Sequence, residues 1–106
     1  MINHQEQNRD CRGIWIPIEI WEIHTLTWLE KHLLAEINSF SLRDNWCYKS
    51  NETFAHFFQT SDSAITKAIK KLKENGYLVS KFDGRNRYLK STYKYHIPNH
   101  ILQIYF

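Results

Sequence analysis

Apolar residues recur along the chain at two periods, and the switch between them separates helical from extended segments. Leu29, Leu33, Ile37 and Phe40 follow one another at spacings of four, four and three, with Leu34 beside them. That places them on one helical face, while Lys31, His32 and Glu36 fall nearer the polar side. Thr27-Trp28-Leu29-Glu30 marks the start as a capping box: the Thr27 hydroxyl can accept from the Glu30 N–H while the Glu30 side chain returns to Thr27. A first helix is therefore predicted from Thr27 to about Ser39. Upstream, Ile14, Ile16, Ile18 and Ile20 alternate with Trp15, Pro17, Glu19 and Trp21, which predicts a strand or extended segment. Pro17 cannot donate to a ladder and restricts that strand to a sheet edge.

Downstream, Arg43-Asp44-Asn45 is turn-like, and Trp46-Cys47-Tyr48 is a short apolar run able to add a strand. Ser50 suits the N-cap of a short second helix over 51–58, whose apolar side is Phe54, Ala55, Phe57 and Phe58. Gln59-Thr60-Ser61 breaks the pattern. Ser61 or Ser63 can then cap a third helix, in which Ala64, Ile65, Ala68, Ile69 and Leu72 share one face and Thr66, Lys67, Lys70, Lys71 and Lys73 the other. Asn75-Gly76 ends it, with Gly76 suited to a left-handed C′ position. The segments 77–82 and 87–92 read as strands joined at Asp83-Gly84-Arg85-Asn86, a hairpin with a basic tip. The predicted class is α+β, in the order of a winged helix-turn-helix: three helices with a small antiparallel hairpin wing.

A chain of 106 residues, 42% hydrophobic and 15% aromatic, is enough for one domain with one core. The polar segment 1–12 reads as a flexible arm, 13–92 as the domain, and 93–106 as an apolar tail. No run of 18 apolar residues and no signal-peptide pattern is present, so the expected location is the cytoplasm and no membrane contact is expected. Cys11 and Cys47 form neither a CxxC pair nor a metal-ligand spacing with the six histidines, and reduced thiols are expected.

Charge changes the picture more than composition does. Residues 1–60 hold five Lys/Arg against eight Asp/Glu, a balance of −3, whereas residues 61–106 hold nine against three, a balance of +6. Segregation of this kind suits a polyanion-binding face, because cations that neutralise phosphates release counterions. The third helix is the element that would enter a major groove, led by its N-terminal residues. Candidate DNA contacts there are Ser61, Ser63, Thr66, Lys67 and Lys70, and at the wing tip Arg85, Asn86 and Arg87. Asp62 is assigned to stabilising the helix N-terminus, and Lys71 and Lys73 fit the dipole of the C-terminal end as well as they fit a ligand. Lys81 and Lys90 fit flanking phosphate contacts and edge-strand protection equally. The tryptophans, Tyr48 and the clustered phenylalanines sit mostly at core spacing, separate from the basic cluster in sequence, and are assigned to packing.

Nothing points to catalysis. His96 and His100 lack an HExxH context and are separated by Pro98, and three glycines make no phosphate cradle. No cofactor, metal or catalytic residue is expected.

The stretch from Trp15-Ile16-Pro17 through Leu33-Leu34-Ala35-Glu36-Ile37, then Lys49-Ser50-Asn51-Glu52-Thr53-Phe54-Ala55-His56-Phe57-Phe58, and Ile65 through Leu78 with its Lys-rich helix ending in Gly-Tyr-Leu, together resemble the winged-helix module at the N-terminus of phage and plasmid replication initiators, including DnaD-like replisome organisers. The resemblance covers about residues 15–90. It implies double-stranded DNA binding by a small transcription or replication regulator, ordinarily a homodimer on two half-sites. The apolar segment 97–106 is the candidate dimer contact. The competing expectation is a winged helix reused to bind a host protein, such as a phage-encoded inhibitor of anti-CRISPR type.

Overall fold

The computed structural model describes residues 14–101. The capping box forms as its spacing requires, with Glu30 N–H donating to Thr27 Oγ1 at 3.2 Å and Thr27 N–H to Glu30 Oε1 at 2.8 Å. The helix it starts, α2, runs Trp28–Ser41 and exceeds the predicted end by two residues. Ser39 and Ser41 turn their hydroxyls back onto the carbonyls of Glu36 and Ile37, which lets polar residues complete the last buried turn.

Within the segment 14–20 predicted as strand or extended, residues 18–21 form a single helical turn instead, α1, Ile18–Trp21, which adds a helix ahead of the three predicted ones. Pro17 is the reason. As the N-cap, at φ −53° and ψ 143°, it stands just outside the helix, and its carbonyl accepts from the N–H groups of Ile20 and Trp21 at 2.9 and 3.0 Å. Alternation alone makes no strand without a partner ladder, and among the described residues none pairs with this segment. Only Ile20 is fully buried in this turn.

Ser50 and Ser61 cap the two following helices, α3 at Asn51–Phe58 and α4 at Asp62–Glu74, each hydroxyl accepting from a backbone N–H three residues on at 3.1 Å. Strands β1, Leu78–Asp83, and β2, Asn86–Ser91, pair antiparallel with Asp83 opposite Asn86. The two-residue loop Gly84-Arg85, with Gly84 at φ +65°, is a type II′ hairpin turn, which needs positive φ at its first central residue. Cys47 forms one antiparallel bridge with Leu89, so the apolar run 46–48 adds a single rung beside β2.

One core joins these elements. Leu33, Leu34 and Ile37 of α2, Phe54 of α3, Ile65 and Leu72 of α4, and Leu89 of β2 are all essentially inaccessible to water. Two polar features cross it. Lys49 Nζ meets Glu36 Oε2 at 3.0 Å with both side chains buried, and the ammonium lies 5.5 and 5.6 Å from the Phe40 and Phe57 ring centroids. Asn38, wholly buried, donates to the Tyr95 carbonyl and accepts from the Tyr95 N–H, both at 2.9 Å. Beside it, Ser41 Oγ accepts from the Ser91 N–H at 2.9 Å. The chain past β2 is thereby fastened to α2, and Ile97 is buried. This corrects the expectation of an exposed tail at its first residue: Ile97 is already packed against its own chain, and residues 102–106 lie outside the described range.

Cys47 is buried among these residues, and loss of solvation pushes its thiol up to about 12, so it is neutral at physiological pH. Cys11 and the segment 1–13 lie outside the described residues.

Candidate nucleic-acid interface

The link between α3 and α4 is tight because Gln59, at φ 57° and ψ 50°, takes the left-handed C-cap conformation that stops α3 and redirects the chain. Thr60 N–H returns to the Ala55 carbonyl at 2.9 Å, and α4 begins two residues later. Packing then fixes which side of α4 faces outward. Ile65, Ala68, Ile69 and Leu72 are buried, leaving Ser63, Lys67 and Lys70 exposed along the opposite side. Among the described residues neither Lys67 nor Lys70 enters an ion pair, so both ammonium groups are open to an external anion.

The other two candidates on this helix already have work within the fold. Ser61 is the N-cap, its hydroxyl accepting from Ala64. Thr66 Oγ1 donates to the Asp62 carbonyl at 2.9 Å and accepts from Asn51 Nδ2 at 3.1 Å. Asn51 in turn accepts through Oδ1 from Arg87 Nη1, while Arg87 Nη2 donates to the Lys49 carbonyl at 2.8 Å. The wing, α3 and α4 are thus joined by one chain of side-chain hydrogen bonds.

At the wing, Arg85 and Asn86 are exposed at the turn, whereas Arg87 is half-buried. Burial pulls the Arg87 guanidinium below its ordinary pKa, and its Nε has no partner among the described residues. Arg87 therefore holds the wing against the start of α3, a different position from the freely projecting tip residue its place in the sequence suggests. On one side of it lies a cleft of about 410 Å³ between α4 and the hairpin, lined by Thr66, Lys70 and Lys73 across from Phe82. On the other is a recess of about 230 Å³ lined by Tyr48 and Ser50 across from Arg85 and Asn86.

Asn51 and Phe82 join the site without having been singled out in the sequence. Asn51 is visible only as the first residue of a capped helix, and Phe82 as one of six strand residues. Phe82 is 67% exposed beside the cleft, more than the other large apolar side chains of the described range. Lys71 falls away from the site: its Nζ pairs with Glu30 Oε1 and donates to the Thr25 carbonyl, both at 2.9 Å, locking α4 to the start of α2.

The assignment of the aromatics to packing also needs correction. Trp15, Trp21, Trp28 and Tyr48 are 40–63% exposed. Trp21 and Trp28 meet edge to face at 4.9 Å, and His32 continues the row toward Phe58. The bulk of an aromatic ring permits a contact with the core on one edge and water on the other.

Among the described residues there is no group of three or more His, Cys, Asp and Glu able to hold a metal ion, and no helix long and apolar enough to cross a membrane.

Residues 24–78 match the family model described as a helix-turn-helix domain. Among solved structures the chain is similar to ZitR from Lactococcus lactis, a cysteine-to-serine mutant, at 28% identity and a TM-score of 0.50, over 67% of this chain and 46% of that one. It is also similar to the adhesin competence repressor AdcR from Streptococcus pyogenes, at 27% identity and a TM-score of 0.49, over 71% of this chain and 53% of that one. The chain thus spans about half the length of each. No curated protein matches it.

Proposed function

Because the chain belongs to the helix-turn-helix domain family, we propose that it is a duplex DNA-binding regulator that lays the N-terminal half of α4 in the major groove and brings the wing tip to the adjacent backbone. The observation that carries this reading is the placement of Lys67 and Lys70, without ion-pair partners among the described residues, on the exposed side of α4, with Arg85 exposed on the neighbouring hairpin. Ser63 and Asn86 are the neutral groups able to reach base edges or phosphates from the same two elements. Ser61, Thr66 and Arg87 act at one remove, by capping α4 and fixing the wing. The sequence resemblance to phage and plasmid initiators favours replication control, transcriptional control being the other role for which a helix-turn-helix domain is suited, and either is placed in the cytoplasm.

Lys67→Ala combined with Arg85→Ala should weaken duplex binding and reduce the slope of log affinity against log salt by about 1.8, since each lost phosphate contact on B-DNA is worth about 0.9. Selection from genomic fragments, followed by a salt titration on the winning duplex, supplies the measurement. An absence of affinity for any duplex at low salt defeats the proposal.

A homodimer on two half-sites follows from the same reading. Its contact is proposed in the segment 98–106, and light scattering of a chain ending at Ile97 should then report a monomer. An unchanged dimer would remove that segment from consideration.

A second reading rests on the exposed pair Trp21 and Trp28 with half-buried His32 beside them, which gives the helical side an apolar surface suited to a protein partner. Under it the chain occupies a host protein in the manner of an anti-CRISPR inhibitor. Stoichiometric recovery of one partner from nuclease-treated lysate, with no duplex bound, would favour it over DNA binding.

A further inference from the structure

The bridge between Cys47 and Leu89 does more than extend the hairpin. Cys47 faces the core with Leu89, so its neighbours Trp46 and Tyr48 lie on the outer face of the small sheet. That face also carries Lys81 and Tyr88, paired across β1 and β2, and Lys90. The ammonium groups of Lys81 and Lys90 lie 4.5 and 5.2 Å from the centroid of the same Trp46 ring, and Lys81 is 5.6 Å from that of Tyr88. Tyr48 stands edge to face with Tyr88 at 6.4 Å and is 44% exposed. Aromatics distant in sequence from the basic residues are thus interleaved with them in space.

Two like charges drawn to one indole repel each other, and among the described residues neither lysine has a carboxylate ion-pair partner. Attraction of each cation to the ring's electron-rich face offsets part of that repulsion. A polyanion offsets it more fully. Duplex phosphates alone would leave the tyrosine faces unused, whereas a single strand offers phosphates to the lysines and unpaired bases to the rings.

We propose that the outer face of the wing sheet is a second nucleic-acid surface, separate from α4, that takes a single strand, with Trp46 and Tyr48 beneath the bases and Lys81 and Lys90 on the backbone. It requires no duplex reading by α4 and is independent of it.

The test uses the full chain with fluorescein-labelled oligo-dT and oligo-U, followed by anisotropy across a salt series. Binding of either is expected, and the tighter of the two identifies the sugar preferred. Lys81→Ala with Lys90→Ala should reduce the salt slope by about 1.4, because a phosphate on a single strand contributes about 0.7. Trp46→Ala should weaken binding about tenfold, and Trp46→Phe, which keeps a ring, should restore most of it. Thermal melts identify any variant that has lost its fold; the lysine pair, outside the core with Lys81 exposed and Lys90 half-buried, then carries the test. The Lys67→Ala, Arg85→Ala variant should retain single-strand binding while losing duplex binding. Failure of the wild-type chain to bind either oligonucleotide would overturn the proposal. So would equal loss in both lysine variants, or full competition by an equimolar duplex.

Discussion

Glu36→Ala is expected to cost about 3–5 kcal/mol of folding stability, because it strands the Lys49 ammonium inside the protein. Lys49 is 8% exposed, and the two phenylalanine rings beside it supply less than the carboxylate they would have to replace. The pair itself need not stabilise the fold relative to apolar residues, since each charge loses its hydration on burial. Glu36→Leu with Lys49→Met should therefore stay within about 1 kcal/mol of the original, or exceed it. Urea titrations of the single and double variants decide the matter: a single-variant cost below 1 kcal/mol would mean that water reaches Lys49 readily. Domains of this size are stable by about 5–15 kcal/mol, so the single substitution removes a large share of the margin.

Phe54→Ala belongs in the same range, about 3–5 kcal/mol, for a different reason. Phe54 is 1% exposed and lies nearly parallel to Phe58, with ring centroids 6.3 Å apart. It is the large fully buried side chain of an eight-residue helix, which is too short to persist without packing. Removing the ring leaves a cavity and withdraws the support that α3 gives to α4. Chemical denaturation should show a lower midpoint with little change in slope, and duplex affinity should fall as temperature approaches the lowered transition. A cost under 1 kcal/mol would mean that the neighbouring rings close the gap.

The features legible in the sequence are those determined within a few residues. Ser50 and Ser61 cap their helices because a hydroxyl needs only an N–H three positions on, and Thr27 with Glu30 is equally local. Gly84 makes its turn through its own backbone freedom. The segment 14–20 misleads because alternation says nothing about a partner strand, whereas one proline carbonyl within reach of two N–H groups is enough for a helical turn. Arg87 reads as a tip residue until its partner, 36 residues away, is in place. Trp46 is a core residue by pattern and joins the basic hairpin only once Cys47 has found Leu89. The charge imbalance between the halves identifies the basic elements, but it cannot tell Lys71, spent on Glu30, from Lys67, which points outward.

The hairpin is anchored at both ends: near its tip by Arg87 to the start of α3, and at its base by Ser91 to Ser41 and Tyr95 to Asn38. Loops that fold onto a ligand surrender backbone freedom at the moment of binding, and that loss is subtracted from affinity. Here folding has already ordered the hairpin backbone. What a ligand has left to immobilise is a set of long, solvent-facing side chains, at about 0.5–1.5 kcal/mol each. The separation between α4 and the wing therefore behaves as a fixed gauge, which selects among ligands by width before any single group is read.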